Sequence, residues 1–308
     1  MKPPVVIIGI GELGGVFARG FLRLGYPVYP VTRAISMATV AERLPEPELV
    51  LVAAAEGDLP SLLAVLPDPW RDRVGLLQNE LLPAHWEGIR LVPVDNSLIF
   101  INFMNRLRAK RTDSLTNRFF LLSIRPVYNN ILIYHKVIER NNSIPTPTVI
   151  SVWIEKKPGT DYKVIIPSPV FGPRSDLLAG ALATLHIPTR VLAGPDELLF
   201  ELVVKNLYIL TTNIAGLRVG GNVGELWSRH RDLARRIGED VIRLQEALTG
   251  RCFERDALFA VLAETFAGDP SHGCMGRSAP TRLARALAEA ERQGLDLPAL
   301  RELQADLA

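Results

Sequence analysis

A lysine set in an apolar helical stretch is the residue of this chain best suited to moving a proton. Lys205 is flanked by Val203, Val204 and Leu207, so its ammonium group is partly desolvated. That makes it a proton donor of tunable pKa and a fixed positive charge for a carboxylate. The competing reading is a lysine at a core edge whose charge snorkels out to water. Asn213 stands eight residues further on, roughly 80° around a helix and about 12 Å along it. The two side chains can therefore address one elongated cleft. A second constellation, Gly9-Ile10-Gly11-Glu12-Leu13-Gly14, has the spacing of a dinucleotide loop. Gly9 permits the tight turn, Gly11 lets the backbone approach a pyrophosphate, and Gly14 allows close packing of helix on strand. A helix starting there points free N–H groups and its dipole at the phosphates.

These residues need elements to position them. Val5 to Ile8 is an apolar run that reads as a strand, and Val16, Phe17, Gly20, Phe21 and Leu24 recur at helical spacing after the glycines. The second strand is expected over 26–31, ending at Thr32 and Arg33. An NAD site would offer a carboxylate there; Arg33 instead suits a 2′-phosphate, so the expected cofactor is NADPH. Residues 49–53 and 74–77 read as buried parallel strands, and Asn79 follows the second at the strand end where doubly wound sheets bind ligands. Residues 148–154 and 163–167 read as a hairpin completing the sheet, turning at Pro158-Gly159, followed by a helix over 175–185 and a last strand over 189–192. From Gly194-Pro195 onward the pattern is helical. Asp196 is the expected N-cap of the helix carrying Lys205, which Gly216 or Gly220-Gly221 should end. Further helices are expected over 227–248, 254–266, 280–293 and 298–307. The expected fold class is α/β: residues 1–194 form a Rossmann-type doubly wound sheet, and residues 195–308 an all-helical domain holding substrate and catalytic groups.

Composition bounds the alternatives. The 308 residues carry 35 Lys and Arg against 33 Asp and Glu and are 48% apolar, as in ordinary globular proteins. Two cysteines, Cys252 and Cys274, supply no disulfide framework, and neither they nor the five scattered histidines have metal-ligand spacing. No metal is expected. No 18-residue apolar run occurs, so a cytoplasmic protein without a membrane partner is expected. The charge is uneven: residues 91–150 hold eight basic and three acidic side chains, eight of the twelve asparagines and one alanine, Ala109. Residues 91–146 therefore read as an insertion. Its Lys and Arg, interleaved with Phe100, Phe103, Phe119, Phe120, Tyr128 and Tyr134, spell no nucleic-acid motif, so a tolerated surface excursion is favoured over a nucleic-acid partner. The arginines from Arg229 to Arg243 read as a solvated helix face, with a homodimer contact left open.

Taken together, the glycine loop, Arg33, Leu76-Leu77-Gln78-Asn79 and the stretch from Glu201 to Leu226 resemble the ketopantoate reductases, which use NADPH to reduce 2-dehydropantoate to pantoate. In that family a helical lysine precedes a Gly-Glu-Leu sequence at a fixed interval. Here Lys205 precedes Gly224-Glu225-Leu226 by nineteen residues. The resemblance implies a helical domain of the 6-phosphogluconate-dehydrogenase type, with Lys205 as catalytic lysine. It implies cofactor contacts from Gly9, Gly11, Glu12, Leu13, Gly14, Thr32, Arg33 and Asn79, and substrate contacts from Asn79, Asn213 and Asn222. The chain also departs from the family. Ile209 replaces an asparagine one turn beyond the lysine, Ala53-Ala54-Ala55 lacks a lysine after the third strand, and Gly273-Cys274-Met275 stands for a Ser-Ser-Met segment. The cofactor-contacting glutamate has no clear counterpart, and residues 91–146 lie outside the resemblance. The activity so implied is reduction of a 2-oxo acid, 2-dehydropantoate first, with a lysine proton donor. Two alternatives stay open: an NADP(H)-binding or sensing protein whose catalysis has decayed, and a related reductase of another 2-oxo acid. An insertion placed after Asn79 could also cover the cleft.

Overall fold

The structure, a computed structural model, describes residues 1–87 and 147–307. The proposed insertion at 91–146 and its aromatic and basic residues lie outside the described residues. Val5–Ile8 (β1) is apolar at every position because both its faces are covered: Val5 and Ile7 join one core, Val6 and Ile8 the other. Helix α1 (Glu12–Arg23) lays Val16, Phe17 and Phe21 on the first face. The chain continues through β2 (Val28–Val31), α2 (Met37–Arg43), β3 (Leu49–Val52), α3 (Leu59–Ala64), β4 (Val74–Leu76) and α4 (Ala84–Glu87). Beyond the undescribed segment follow β5 (Thr148–Ile150), β6 (Ile154–Glu155), β7 (Lys163–Val164), β8 (Ser168–Phe171), α5 (Ser175–Ala183) and β9 (Thr189–Val191).

Seven of these strands form one sheet in the order β2-β1-β3-β4-β5-β8-β9, parallel except where β5 meets β8. Val5 lies opposite both Val28 and Leu49, so the chain leaves β1 to one side and returns on the other. That reversal between β1 and β3 is the point at which doubly wound sheets open a ligand crevice beyond the strand ends. Helices α1 and α5 cover one face, while Val40 and Ala41 of α2 and Leu59 and Leu63 of α3 pack on the other. β4 pairs directly with β5, Gly75 opposite Thr148, so the sheet is continuous across the undescribed segment.

From Pro195 onward every element among the described residues is helical: α6 (Pro195–Val219), α7 (Val223–Arg229), α8 (Arg231–Thr249), α9 (Arg255–Gly268), α10 (Ala279–Arg292) and α11 (Pro298–Asp306). α6 is the spine of this half and is long and apolar enough to cross a membrane, yet most of its length is buried by its neighbours. The helical core merges with the α2/α3 face of the sheet into one cluster, so the two halves share an apolar interface.

Several sequence expectations need correction. The hairpin does not complete the sheet: β6 and β7 form a separate two-stranded ribbon, because β8 takes the place beside β5. β8 is disguised by Pro169, which contributes its carbonyl, accepting from the Ser151 N–H at 2.8 Å. The second strand starts at Val28, not Tyr26. Gly194, in extended conformation, is the N-cap of α6; Asp196 sits in the first turn and pairs with Arg251 at 3.0 Å. The helix expected over 227–248 is two helices meeting at His230.

Candidate functional site

The glycine loop is shaped by close backbone approaches. Gly9 has φ +92°, and a Cβ there would stand 2.8 Å from the Ala53 carbonyl oxygen. A Cβ on Gly14 would stand 2.2 Å from the Gly9 carbonyl oxygen. At Gly11, by contrast, nothing lies within 4 Å of a Cβ, so the first turn of α1 faces open space. Beside it opens a cavity of about 550 Å³ lined by Gly9, Thr32, Arg33, Ser36, Ala54, Ala55, Asp58 and their neighbours. Backbone, small side chains and one cation at a helix N-terminus are the groups that an adenosine and its phosphates require. The residues present therefore fit a dinucleotide. The Arg33 side chain is 96% exposed and reaches Asp58 Oδ2 at 3.3 Å. A carboxylate thus does occupy this cavity, although it comes from the turn after β3 and not from the end of β2.

Lys205 is 9% exposed. Its Nζ donates to the Val152 carbonyl at 2.7 Å and lies 3.9 Å from the centre of the Trp153 ring. The side chain is therefore turned into the seam between α6 and the segment after β5, and does not snorkel. Burial, and secondarily the positive charge of Arg282, lowers its pKa to about 7. The carbonyl and the ring face favour the cation but leave it without a counter-ion among the described residues. Trp153 is itself pinned through its backbone, whose N–H donates to Ser168 Oγ at 2.9 Å.

The same segment reaches the glycine loop. Four residues beyond Val152, Lys156 Nζ meets Glu12 Oε2 at 2.8 Å, and a fully extended chain spans at most about 14 Å over that interval. The lysine amine and the first turn of α1 are thus anchored near opposite ends of one short stretch. The Lys156 pair also offsets the Glu12 carboxylate, which would otherwise oppose an anion at this helix end.

The asparagines differ in their surroundings. Asn79 is half-buried just past β4, next to Gln78, whose Nε2 donates to the Val52 carbonyl at 2.7 Å and so fixes the strand ends. Asn213 Oδ1 accepts from Arg282 Nη1 at 3.0 Å. Asn222 is the N-cap of α7, its side chain accepting from the Glu225 N–H at 2.9 Å in a capping box. Ile209 is buried, and buried Cys274 has its thiol pushed up to about 11 by burial and by Glu225, as befits a packing residue. Tyr208, one turn from Lys205, has a buried hydroxyl without a partner among the described residues, and burial raises its pKa.

The sequence reading missed the ionic cluster beside this seam. Arg282 on α10 is 8% exposed and donates to Glu80 Oε1 at 2.6 Å, Glu56 Oε1 at 3.2 Å and Asn213. Arg285 also donates to Glu80 Oε1 at 2.6 Å. A signal was present: the buried stripe of α10 runs Ala279, Arg282, Leu283, Ala286, Ala290, and a charge inside an apolar stripe asks for a partner.

No family model matches the chain, and no curated protein does. Solved structures do. A 2-dehydropantoate 2-reductase from Methylococcus capsulatus superposes with a TM-score of 0.58 at 13% identity, over 99% of this chain and 95% of that one. A dimeric ketopantoate reductase from Staphylococcus aureus gives 0.54 at 14% identity, over 99% and 97%. D-mandelate dehydrogenase with NADH and anilino(oxo)acetate gives 0.57 at 13% identity, over 98% and 96%. At such identities the likeness is one of architecture, and it spans both halves: this chain has the ketopantoate-reductase fold, an α/β sheet domain followed by a helical one.

Proposed function

We propose that the protein is an NADPH-dependent reductase of a 2-oxo acid, with 2-dehydropantoate as the first substrate to test. The observation that carries this reading is the Lys205 amine, buried, poised at a pKa of about 7, and anchored to the segment that also meets the dinucleotide loop. When bound, the dinucleotide supplies the hydride. Gly9, Gly11 and Gly14, with the N–H groups of Glu12 and Leu13, hold its pyrophosphate. Thr32 and Arg33 receive the adenosine end, and Asn79 the nicotinamide end. Lys205 hydrogen-bonds the substrate carbonyl oxygen, stabilises the negative charge developing on it, and gives up its proton there. Asn213 holds the substrate's polar tail; Asn222 has its amide nitrogen left for the same purpose once its oxygen caps α7.

Two observations favour a variant of this reading. Asp58 beside Arg33 is able to bond a ribose 2′-hydroxyl, which would admit NADH. Buried Ile209 and the Arg282 contact to Asn213 remake the tail end of the site, which favours another 2-oxo acid. The test is NADPH and NADH consumption with a panel of 2-oxo acids including ketopantoate. Substrate-dependent oxidation by the wild type that is lost in Lys205→Met supports the reading; dinucleotide binding with no turnover on any member overturns it.

A further inference from the structure

We propose that Arg282 is a positioning residue that locks the strand-end loops of the sheet half to the lysine helix of the other half. The inference rests on the proposed reductase reading and adds to it a residue that neither the glycine loop nor the lysine helix contains. The guanidinium has five N–H donors. Three are used, each on a different element: Nε to Glu80 beyond β4, Nη2 to Glu56 beyond β3, and Nη1 to Asn213 on α6. Glu56 stands beyond β3, which borders the crevice, and Glu80 beyond the adjacent β4; Glu80 has φ +57°, a left-handed backbone that needs support in a non-glycine residue. Arg285 shares Glu80 and doubles that support.

The centre of the cluster is shielded, while Glu56 and Arg285 at its rim are 27% and 41% exposed at the side chain. Arg282 is 10% and Glu80 18% exposed at the side chain. A planar fork fixed at three points cannot shift without breaking one of them, so Asn79, beside Glu80, and Lys205, two turns before Asn213, move as a unit. The same charge acts on the lysine amine. Among the described residues, the other titratable group that feels the lysine charge is His272 of the loop before α10, which in turn faces Glu155, Asp269 and Lys157. Asp269 is committed to Lys163 at 2.6 Å, while Asp240 of α8 accepts from the Ala299 N–H of α11. Arg282 is the cation that opposes the ammonium form of Lys205.

Three variants of the full chain test this. In Arg282→Met, NADPH affinity by fluorescence titration should stay within about threefold, while kcat falls about a hundredfold. The Lys205 ionisation, read from the pH profile of kcat and by NMR of side-chain-labelled lysine, should move alkaline by about one pH unit. In Arg282→Lys the charge remains but the fork is lost, so kcat falls while the ionisation stays near wild type. In Glu80→Gln, which keeps an acceptor but removes a counter-charge, the ionisation moves in the acid direction, so the proposal has a readout even if Arg282→Met fails to fold. A wild-type Lys205 titration in every folded variant, or wild-type kcat in Arg282→Met, overturns it. Absence of turnover in the wild type would sink the reductase reading instead, and the NMR titration would still decide the role of Arg282.

Discussion

The two halves of the candidate site are built on opposite physical terms. The dinucleotide side is open and made of backbone: three glycines, small residues, and an arginine whose side chain is 96% exposed. The side proposed to donate the proton is buried and made of charge: Lys205 and Arg282 at 9% and 8% exposure, with bonds across elements far apart in the chain. Open backbone sites tolerate side-chain change and fail by steric contact. Buried charges carry a desolvation cost and fail by loss of a partner. The contrast is clearest at Lys205. Lys205→Met should lower kcat about a thousandfold while dinucleotide affinity stays within about threefold. The same variant should be more stable at pH 7, by about 1–4 kcal/mol, since it removes a buried charge that has no counter-ion among the described residues. A denaturant titration beside a binding titration checks both. Collapse of dinucleotide affinity in this variant would break the separation of the two sides.

The glycine loop sharpens the comparison from the other direction. Gly14→Ala forces a Cβ to 2.2 Å from the Gly9 carbonyl, a backbone clash that should cost about 1–3 kcal/mol of stability and raise the dinucleotide Kd about a hundredfold or more. Gly11→Ala meets nothing within 4 Å, so stability should stay within about 0.5 kcal/mol. Its affinity should nonetheless fall, about tenfold, because the added methyl occupies the side from which the pyrophosphate approaches. Equal behaviour of the two variants in both assays would mean that the loop is only a tight turn.

The difference also explains what the sequence could reveal. The glycine loop is local: six consecutive residues between an apolar strand and an amphipathic helix set its geometry, and the doubly wound sheet followed from the same kind of pattern. Lys205 stood out because an apolar helical face is a local pattern too. Its environment is not local. Val152 lies 53 residues away, and the Arg282 bonds to Glu80 and Glu56 span 202 and 226 residues, so no periodicity within one helix discloses them. Asn222 shows the converse, since its capping box with Glu225 is a three-residue relation and was readable as such beside the substrate role given to it. β8 escaped because Pro169 argues against a strand interior, a rule it satisfies by lending only its carbonyl.

Lys205 also makes the buried side sensitive to pH, with a definite sign. Its pKa is about 7 in the folded chain against 10.5 in a free lysine. Between those values the unfolded chain binds a proton that the folded one does not, so from this group unfolding becomes harder as pH rises from about 7. The full penalty stands below that range. The stability gap between wild type and Lys205→Met should therefore close with rising pH, by at most about 1.4 kcal/mol per unit. On the proposed mechanism turnover runs the opposite way: proton donation needs the ammonium form, so kcat should be flat below pH 7 and fall about tenfold per unit above it. Parallel stability and rate profiles over this range test whether one amine governs both.

The smallest expected effect lies at the open end. Arg33 is solvated and paired with Asp58 at 3.3 Å, and exposed ion pairs contribute about 0–1 kcal/mol, so neither side chain matters much to the fold. Their influence should appear in the choice of dinucleotide. If Arg33 holds a 2′-phosphate, Arg33→Gln raises the KM for NADPH about tenfold and leaves that for NADH nearly unchanged, since one charge-assisted contact is lost and only one cofactor makes it. Asp58→Asn should act in the reverse sense, improving NADPH by a fewfold by removing a like charge and weakening NADH by removing a ribose acceptor. In the double variant the two cofactors should converge. Wild-type discrimination in all three would move the source of selectivity away from this pair, and identical losses for both cofactors would mean that Arg33 contacts a part of the dinucleotide common to them.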